Sequence, residues 1–313
     1  QVFLCRQPLI RQRLAGLMSL SEDQSVQWSV FLLGLHDLGK FAESFQQLRE
    51  DLRLLFWPQE KIRRRQYTIR HDSLGWMLWQ QFLKQQVLKT CIDESVSNLL
   101  EDTFPYWLAP VLGHHGWPPD DSERLKSHFR DFDQEAAWTF FEDWRNFIEI
   151  RFDMLALICE SPGFAKHQRQ VSWLLAGIAV LADWLGSNRE YFPYRDDPMD
   201  LADYWRKQAL PGAQSALIAA GMDLSTPLPE QALTALFDYI QVPTPLQQAC
   251  ADLTLSNNPQ LFILEDVTGA GKTEAAIILA HRLMAAGLGQ GMYIGLPTMA
   301  TANAMYERMA RVY

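Results

Sequence analysis

The chain has 313 residues, 48% of them hydrophobic, which is enough for about two domains with sizeable cores. Its net charge of −9 argues against a surface that binds nucleic acid over its whole extent, so any such contact needs a local basic patch. The four cysteines are scattered and form no CxxC pair, which argues against a disulfide framework or a zinc ribbon and predicts a cytoplasmic protein. The most apolar stretch, 171–185, is short for a membrane span and contains Asp183, so we expect no contact with a membrane.

Residues 1–225 have the periodicity of helices and little strand signal. We predict a buried helix over Trp28–Leu35 that Gly39 ends, and an amphipathic helix that begins near His71. Two further helices are predicted, over Glu135–Cys159 and over Ser172–Leu185. This part of the sequence therefore predicts a mostly α-helical bundle.

The pattern loosens between Ser187 and Pro229, so we place a domain boundary there and expect a second domain over 226–313. In that domain "LFILED" is predicted as a strand, followed by a glycine-rich turn and a helix over Lys272–Ala286. A second strand is predicted at "GMYIGLP". Strand, loop, helix and strand in this order are the unit of a parallel sheet, which predicts the beginning of an α/β lobe.

Basic residues cluster in the segment "EKIRRRQYTIRH". The cluster consists of Lys61, Arg63, Arg64, Arg65 and Arg70, with Tyr67 among them. One interpretation is a local patch that guides DNA, and the other is the solvated face of a loop. The sequence leaves both open.

Histidine and aspartate recur at or near the ends of predicted helices. His36 and Asp37 lie in "HDLGK", and His71 begins a predicted helix. His114 and His115 lie in "GHHG", and Asp183 lies in "LADWLGS". Each has an ordinary explanation alone: a chance dipeptide, a surface loop, a helix-capping aspartate. An unpaired buried charge at Asp183 would cost several kcal/mol, however, and a metal ion would offset it. Imidazole and carboxylate ligands suit Mg, Mn, Fe, Co, Ni or Zn, so the set as a whole predicts a divalent metal site.

The stretch "EDVTGAGKTEAA" lies between a predicted strand and a predicted helix, where a phosphate-binding loop is expected. Its glycines let the backbone curl so that amide groups and the helix N-terminus hold phosphate oxygens. The residues predicted to bind nucleotide are Thr268, Gly269, Gly271, Lys272 and Thr273. Lys272 is expected to reach the β and γ phosphates, and Thr273 to bind Mg²⁺.

The order of the histidines and aspartates resembles the HD phosphohydrolase superfamily, in its two-metal branch. The resemblance implies that Asp37 bridges two metal ions, with His36 and Asp183 on one ion and with His71, His114 and His115 on the other. Lys40 could neutralise the phosphate or assist the leaving group, and an exposed lysine without a role is the alternative. The superfamily pattern begins with a further histidine upstream, but no histidine precedes His36. We therefore expect the chain to begin after that ligand.

The second domain resembles superfamily 2 helicases. "VPTPLQQA" is similar to their Q motif, which implies that Gln247 contacts an adenine edge, and "LPTMATANAM" is similar to the motif that contacts the DNA backbone through Thr298 and Thr301. The acidic DExH motif does not follow before the end of the sequence, so we expect no ATPase activity from this chain. The resemblance implies a RecA-like lobe that binds ATP with Mg²⁺.

Together these motifs resemble the CRISPR-associated helicase–nucleases of type I interference, with the closest match to the type I-E members. That resemblance implies a monomer that degrades single-stranded DNA, driven by ATP-dependent 3′-to-5′ translocation and recruited to the displaced strand by the RNA-guided Cascade complex. Two alternatives stay open. One is an HD hydrolase of nucleotides with a regulatory nucleotide site, and the other is an inactive docking fragment.

Overall fold

The computed structural model describes residues 1–49, 51, 65–90, 94–120, 123–153, 156, 164–195, 198–222, 229–289 and 291–312. The chain forms two compact units, Gln1–Met222 and Asp223–Tyr313. The boundary predicted at 225 lies beside this division, within 223–228, outside the described residues.

The first unit is built from helices. Its α-helices are α1 (Val2–Arg6), α2 (Pro8–Met18), α3 (Glu22–Gly34), α4 (Glu43–Gln46), α5 (His71–Leu78), α6 (Lys84–Thr90), α7 (Glu94–Asp102), α8 (Phe104–Leu112), α9 (Asp131–Phe147), α10 (Phe164–Gly186), α11 (Leu201–Tyr204) and α12 (Leu210–Ala219). Short 3₁₀ turns lie at Leu38–Phe41, Gln47–Arg49 and Leu125–Ser127, and π-helical turns at Trp79–Leu83 and Trp205–Ala209.

Helix α3 carries the first candidate ligands at its C-terminal end. A capping box fixes its start, because the Ser21 side chain accepts from the Gln24 backbone N–H and the Gln24 side chain accepts from the Ser21 N–H. Its buried face packs into an aromatic cluster made of Trp28, Phe31, Phe104, Phe141 and Phe152. Helix α10 packs against α8 and α2. This core holds the ends of α3, α8 and α10 in fixed positions.

Three of the four helices predicted in this unit match, and one does not. The helix predicted at Trp28–Leu35 forms the second half of α3, which ends at Gly34. The helix predicted near His71 is α5, and the hydrophobic helix predicted at Ser172–Leu185 lies within the longer α10. The helix predicted at Glu135–Cys159 was wrong in length, since α9 begins at Asp131 and ends at Phe147. Glu149 has a φ of 59°, a left-handed conformation that cannot continue a right-handed helix. The rest of that range lies partly outside the described residues.

The second unit contains helices α13 (Leu233–Leu236), α14 (Pro245–Asp252), α15 (Lys272–Ala285) and α16 (Met299–Met309). The predicted helix after the glycine-rich turn is α15, but no β-strand is assigned among the described residues of this unit. The segment 261–264 keeps a strand-like alternation, because Phe262 and Leu264 pack on the apolar core while Leu261 and Ile263 are exposed. Without a hydrogen-bonded neighbour it forms no ladder, so the two predicted strands are absent here. The RecA-like lobe therefore stays a prediction.

Within the described part of the chain, no helix combines the length and the apolar composition needed to cross a bilayer.

Candidate metal centre

A close backbone contact places Asp37 beside α5. The 3₁₀ turn Leu38–Phe41 packs against α5, and a Cβ at Gly39 would overlap the carbonyl oxygen of His71. Gly39 was predicted to end the preceding helix, but α3 already ends at Gly34. Gly39 instead allows two backbones to touch, which brings Asp37 next to the first residue of α5.

Two histidines are oriented in the same way by the helix that precedes each of them. The Nδ1 atom of His36 lies 2.8 Å from the carbonyl oxygen of Leu33, and that of His114 lies 3.1 Å from the carbonyl oxygen of Val111. A backbone carbonyl accepts from Nδ1–H, so in the neutral form of each ring the Nε2 atom carries no proton and can bind a metal. The helix ends thus set both the direction and the tautomer of these rings.

His71 begins α5 and faces His115, with 3.0 Å between their Nε2 atoms. The hydroxyl of Tyr67 accepts from the backbone N–H of His71 at 2.8 Å and lies 3.4 Å from its Nδ1. The Phe45 ring packs edge-on against both Tyr67 and His71. Tyr67 belongs to the basic segment whose role the sequence left open, and its hydroxyl contacts the candidate ligand His71.

All six predicted metal ligands converge. The Asp37 carboxylate lies between two histidines, with Oδ2 at 3.1 Å from Nε2 of His36 and Oδ1 at 3.5 Å from Nε2 of His71. Oδ1 of Asp183, on α10, is 3.8 Å from Nε2 of His36. The ligand atoms form two groups, His36 with His114 and Asp183, and His71 with His114 and His115. His114 belongs to both groups, whereas the family resemblance implied it for the second only.

The charge states of Asp37, His71 and His114 favour metal binding at neutral pH. Burial disfavours a charged Asp37, but His36 and Lys40 outweigh it and hold the pKa of that carboxyl well below its usual range. Burial, helped by Lys40 and the nearby imidazoles, lowers the pKa of His71 to about 4, and burial also lowers the pKa of His114. For His36, burial is outweighed by its hydrogen bond to Asp37, so its pKa is raised and a metal ion would have to displace the proton that it shares with Asp37. Ionised carboxylates and neutral imidazoles are the forms that bind metal.

The donor set fits divalent cations. Oδ1 of Asp37 and Nε2 of His114 are buried and have no hydrogen-bond partner, which is costly unless something else satisfies them. The Nε2 atoms of His71 and His115 also face each other at a distance of 3.0 Å. A cation among these atoms would satisfy all of them, and mixed imidazole and carboxylate ligands suit borderline divalent metals.

Lys40 was predicted to assist catalysis, and it lies at the edge of the centre. Its Nζ donates to Oδ2 of Asp37 at 2.6 Å, one helical turn away, and its side chain is 40% exposed. The ammonium group is therefore both close to the candidate ligands and accessible from solvent. Its role in catalysis stays a prediction.

A buried ion network beneath the centre was not predicted from the sequence. Glu43 is 2% exposed and accepts from both Arg130 and Gln47, with Nε of Arg130 at 2.6 Å. Nε of Arg65 lies 3.1 Å from the same carboxylate. Glu43 follows "HDLGK" and Arg65 precedes Tyr67, so the network ties together the two segments that carry Asp37 and His71.

The predicted basic patch is only partly visible. Lys61, Arg63 and Arg64 lie outside the described residues. Arg65 is paired with buried Glu43, and Arg70 lies 3.1 Å from the buried carboxylate of Asp72. These two arginines therefore serve structural ion pairs, and the guidance of DNA by this segment stays a prediction.

The predicted phosphate loop of the second unit has the expected backbone. Gly269 and Gly271 have φ values of 89° and 75°, and Lys272 begins α15. Nζ of Lys272 folds back onto the loop and donates to the carbonyl oxygens of Asp266 and Val267. Thr268 is exposed in the turn and Thr273 lies in the first turn of α15. Nucleotide binding by these residues stays a prediction.

Gln247 and the two threonines of the second helicase-like motif have structural partners. Gln247 is buried; its Oε1 accepts from the Thr244 N–H, and its Nε2 donates to the carbonyl oxygen of Gly271. Gln247 therefore supports the phosphate loop, and its contact with adenine stays a prediction. Thr298 caps α16 through the N–H of Thr301, and both threonines are exposed.

Comparisons with known proteins identify the family of the first unit. A family model described as the HD domain of Cas3 matches residues 2–192. The CRISPR-associated endonuclease/helicase Cas3 of Thermus thermophilus is 32% identical over 312 residues, covering 96% of this chain and 32% of that protein. The protein of the same name in Escherichia coli K12 is 30% identical, covering 93% of this chain and 34% of that protein. The chain spans about a third of the length of these relatives.

The fold also matches known structures. A crystal structure of T. fusca Cas3 superimposes with a TM-score of 0.57 at 25% identity, covering 97% of this chain and 33% of that one. A second crystal structure, of a CRISPR-associated protein, gives a TM-score of 0.58 at 26% identity. Since the family model covers most of the first unit and more than half of the whole sequence, the chain belongs to the Cas3 HD-domain family.

Proposed function

We propose that the first unit is a metal-dependent nuclease that hydrolyses phosphodiester bonds of single-stranded DNA. The observation that carries this proposal is the convergence of four histidines and two aspartates, from four separate segments, around buried ligand atoms without partners. The relatives named as CRISPR-associated endonuclease/helicases support DNA as the substrate and CRISPR defence as the context.

We assign the six candidate ligands to two divalent ions. His36 and Asp183 would hold one ion, His71 and His115 would hold the other, and Asp37 and His114 lie close to both groups of ligands. Bound divalent ions supply hydroxide at neutral pH and stabilise the charge of the phosphodiester as it is cleaved. We assign Lys40, whose side chain is 40% exposed and whose Nζ is 2.6 Å from Asp37, to neutralise a phosphate oxygen or to protonate the leaving group.

For the second unit we propose a nucleotide-binding role as the first part of a helicase lobe. The left-handed glycines and the lysine at the start of α15 support it, because they leave amide groups free to hold phosphate oxygens. In the longer protein this unit would bind ATP with Mg²⁺ and drive 3′-to-5′ movement on DNA, and Cascade would recruit the enzyme to the displaced strand.

The proposal is tested with the purified chain and circular single-stranded DNA, without ATP, across Mg²⁺, Mn²⁺, Co²⁺ and Ni²⁺. We expect metal-dependent cutting that the Asp37→Ala variant lacks, because that carboxylate faces both groups of ligands. Lys272→Ala is the matched control, since it alters only the phosphate loop and should cut as well as the unaltered chain.

The other outcomes separate the alternatives. No cutting, with less than one ion bound per chain, would contradict the nuclease proposal and favour a docking role for this part of the protein. No cutting despite two bound ions, together with release of phosphate from free nucleotides, would favour an HD nucleotide hydrolase.

A further inference from the structure

Three tryptophans in the described part of the first unit have strongly exposed side chains: Trp117 at 73%, Trp173 at 80% and Trp184 at 76%. Tryptophan is among the most highly buried residues on average, because its indole ring is large and mostly apolar. An exposed indole beside a functional site therefore points to a ligand with a flat, apolar face.

Two of the three tryptophans are close in sequence to candidate metal ligands. Trp184 directly follows Asp183, which belongs with His36 and His114 to one group of ligands. Trp117 is two positions after His115, which belongs with His71 and His114 to the other group. Each group of ligands thus has one exposed indole next to it in the chain.

We propose that Trp117 and Trp184 form an aromatic platform that stacks the bases of a single strand on the two sides of the metal centre. This inference rests on the proposed nuclease function and adds the residues that select a single strand. The faces of bases in a duplex are covered by neighbouring bases, whereas a single strand can offer them to an indole ring. Because every base has such a face, the platform predicts little preference for sequence.

The charge of the protein gives a reason for such a platform. A net charge of −9 opposes the approach of a polyanion, and two arginines of the predicted basic segment, Arg65 and Arg70, are held in structural ion pairs. Stacking on tryptophan supplies affinity that does not depend on positive charge. It would hold the strand so that a phosphate lies at the metal ions.

Trp173 provides a matched control on the same helix. It lies eleven positions before Trp184 on α10, which is about three turns, so both side chains point to the same face about 16 Å apart. Its exposure is similar to that of Trp184, but it is ten positions before Asp183 in the chain. An effect shared by all three tryptophans would therefore be nonspecific, and an effect limited to Trp117 and Trp184 would be local to the centre.

The test measures binding by fluorescence anisotropy in EDTA, where nothing is cut. The probes are labelled oligothymidine of about 12 nucleotides and an abasic strand of the same length. We expect the unaltered chain to bind the strand with bases more tightly than the abasic strand. Trp117→Ala and Trp184→Ala should each weaken binding of the strand with bases roughly 5-fold or more. Trp173→Ala should leave that binding unchanged. Trp184→Phe, which keeps an aromatic face, should recover most of the loss.

Other outcomes overturn the platform. It is wrong if the unaltered chain binds both strands equally or neither, if the two variants lose affinity for the abasic strand to the same degree, or if Trp173→Ala behaves as they do. The proposed function is tested separately, by metal-dependent cutting. A chain that prefers bases but cuts no DNA with any metal supports the platform and contradicts the nuclease.

Discussion

The metal centre and the phosphate loop are both suited to phosphate groups, but they are assembled in different ways. The ligands of the metal centre come from the ends of α3, α8 and α10 and from the start of α5, so they meet only when the helices pack. The phosphate loop is one continuous turn between 266 and 272, shaped by two glycines with positive φ. The first site depends on long-range packing, and the second depends mainly on local backbone conformation.

This difference predicts which substitutions should disrupt each site. Buried residues that never touch a ligand should matter strongly for the metal centre, because they fix the distances between segments. Such residues include Glu43 and Gly39, which connect the "HDLGK" segment to Arg130, Arg65 and α5. Substituting these residues is the most direct test of whether the metal centre depends on long-range packing.

The largest effect is expected from Glu43→Gln. This change keeps the shape of the side chain but leaves the guanidinium groups of Arg130 and Arg65 without their buried countercharge. Breaking a buried ion pair in this way costs about 3–5 kcal/mol, so the free energy of unfolding of the first unit should fall by that amount. Urea unfolding followed by circular dichroism measures it.

The control for Glu43 is Glu142→Gln. Glu142 pairs with Arg145 on the surface of α9 at 3.9 Å, and such pairs contribute less than about 1 kcal/mol. Equal unfolding midpoints for Glu43→Gln and Glu142→Gln would show that the network is not a support of the centre.

The next effect is expected from Gly39→Ala. The added methyl group would overlap the backbone of His71, so the 3₁₀ turn and α5 must separate. We expect a loss of roughly 3 kcal/mol in unfolding free energy, together with loss of metal binding in calorimetric titration. Gly177→Ala is the control, because a Cβ there meets nothing within 4 Å and a helical glycine gains about 0.5–1 kcal/mol as alanine. A Gly39→Ala chain that binds metal normally would contradict the close-contact argument.

The convergence of the candidate ligands could be predicted from the sequence, whereas the residues that support them could not. His36, Asp37, His114, His115 and Asp183 lie in short motifs whose chemistry is visible in the letters, and all of them converge. Nothing in "KFAESF" marks Glu43 as buried, because its partner Arg130 is 87 positions away and both residue types are usually exposed. Pairings of this kind are decided by packing, which periodicity does not reveal.

The same limit explains the elements that were predicted wrongly. Apolar periodicity favoured a helix through to Cys159, but it could not reveal the left-handed backbone at Glu149. The apolar segment "LFILED" has the alternation of a strand, yet strand formation requires a hydrogen-bonded neighbour. The phosphate loop was easier to predict, because its glycines at 269 and 271 act through their own backbone angles.

A smaller effect, dependent on pH, is expected at Asp133, which lies beside the same network. Burial raises the pKa of Asp133 to about 6, although its carboxylate accepts from the Arg130 N–H at 2.7 Å. An unfolded aspartic acid titrates near pH ~4, so the unfolded chain loses this proton first as pH rises. The stability that the protonated group contributes is therefore present below about pH 4 and is lost as pH rises through about 6.

Asp133→Asn should remove this dependence. The amide oxygen can still accept from Arg130, but the group cannot ionise. Urea unfolding should give equal free energies for the variant and the unaltered chain at about pH 4, and a variant more stable by on the order of 2–3 kcal/mol at about pH 8. Asp153→Asn, at an exposed pair with Arg151, should show no such change with pH. Parallel stability curves for Asp133→Asn and the unaltered chain would contradict the raised pKa.

The smallest of these effects is expected from Tyr67→Phe, which alters the surroundings of one ligand only. The change removes the hydroxyl that accepts from the His71 N–H and lies near its Nδ1, and it keeps the ring packed on Phe45. Groups that orient a metal-binding histidine commonly contribute at least about 10-fold in affinity, so Mn²⁺ or Co²⁺ should bind roughly 10-fold more weakly in calorimetric titration.

Tyr106→Phe, at an exposed position on α8, should bind metal as the unaltered chain does. Thermal unfolding without metal separates the two roles of Tyr67. If Tyr67→Phe lowered the melting temperature but left metal affinity unchanged, the hydroxyl would only cap α5. If metal affinity fell while the metal-free melting temperature stayed the same, Tyr67 would fix the orientation of His71. A residue outside the set of candidate ligands would then control metal binding, as expected for a centre that is assembled by long-range packing.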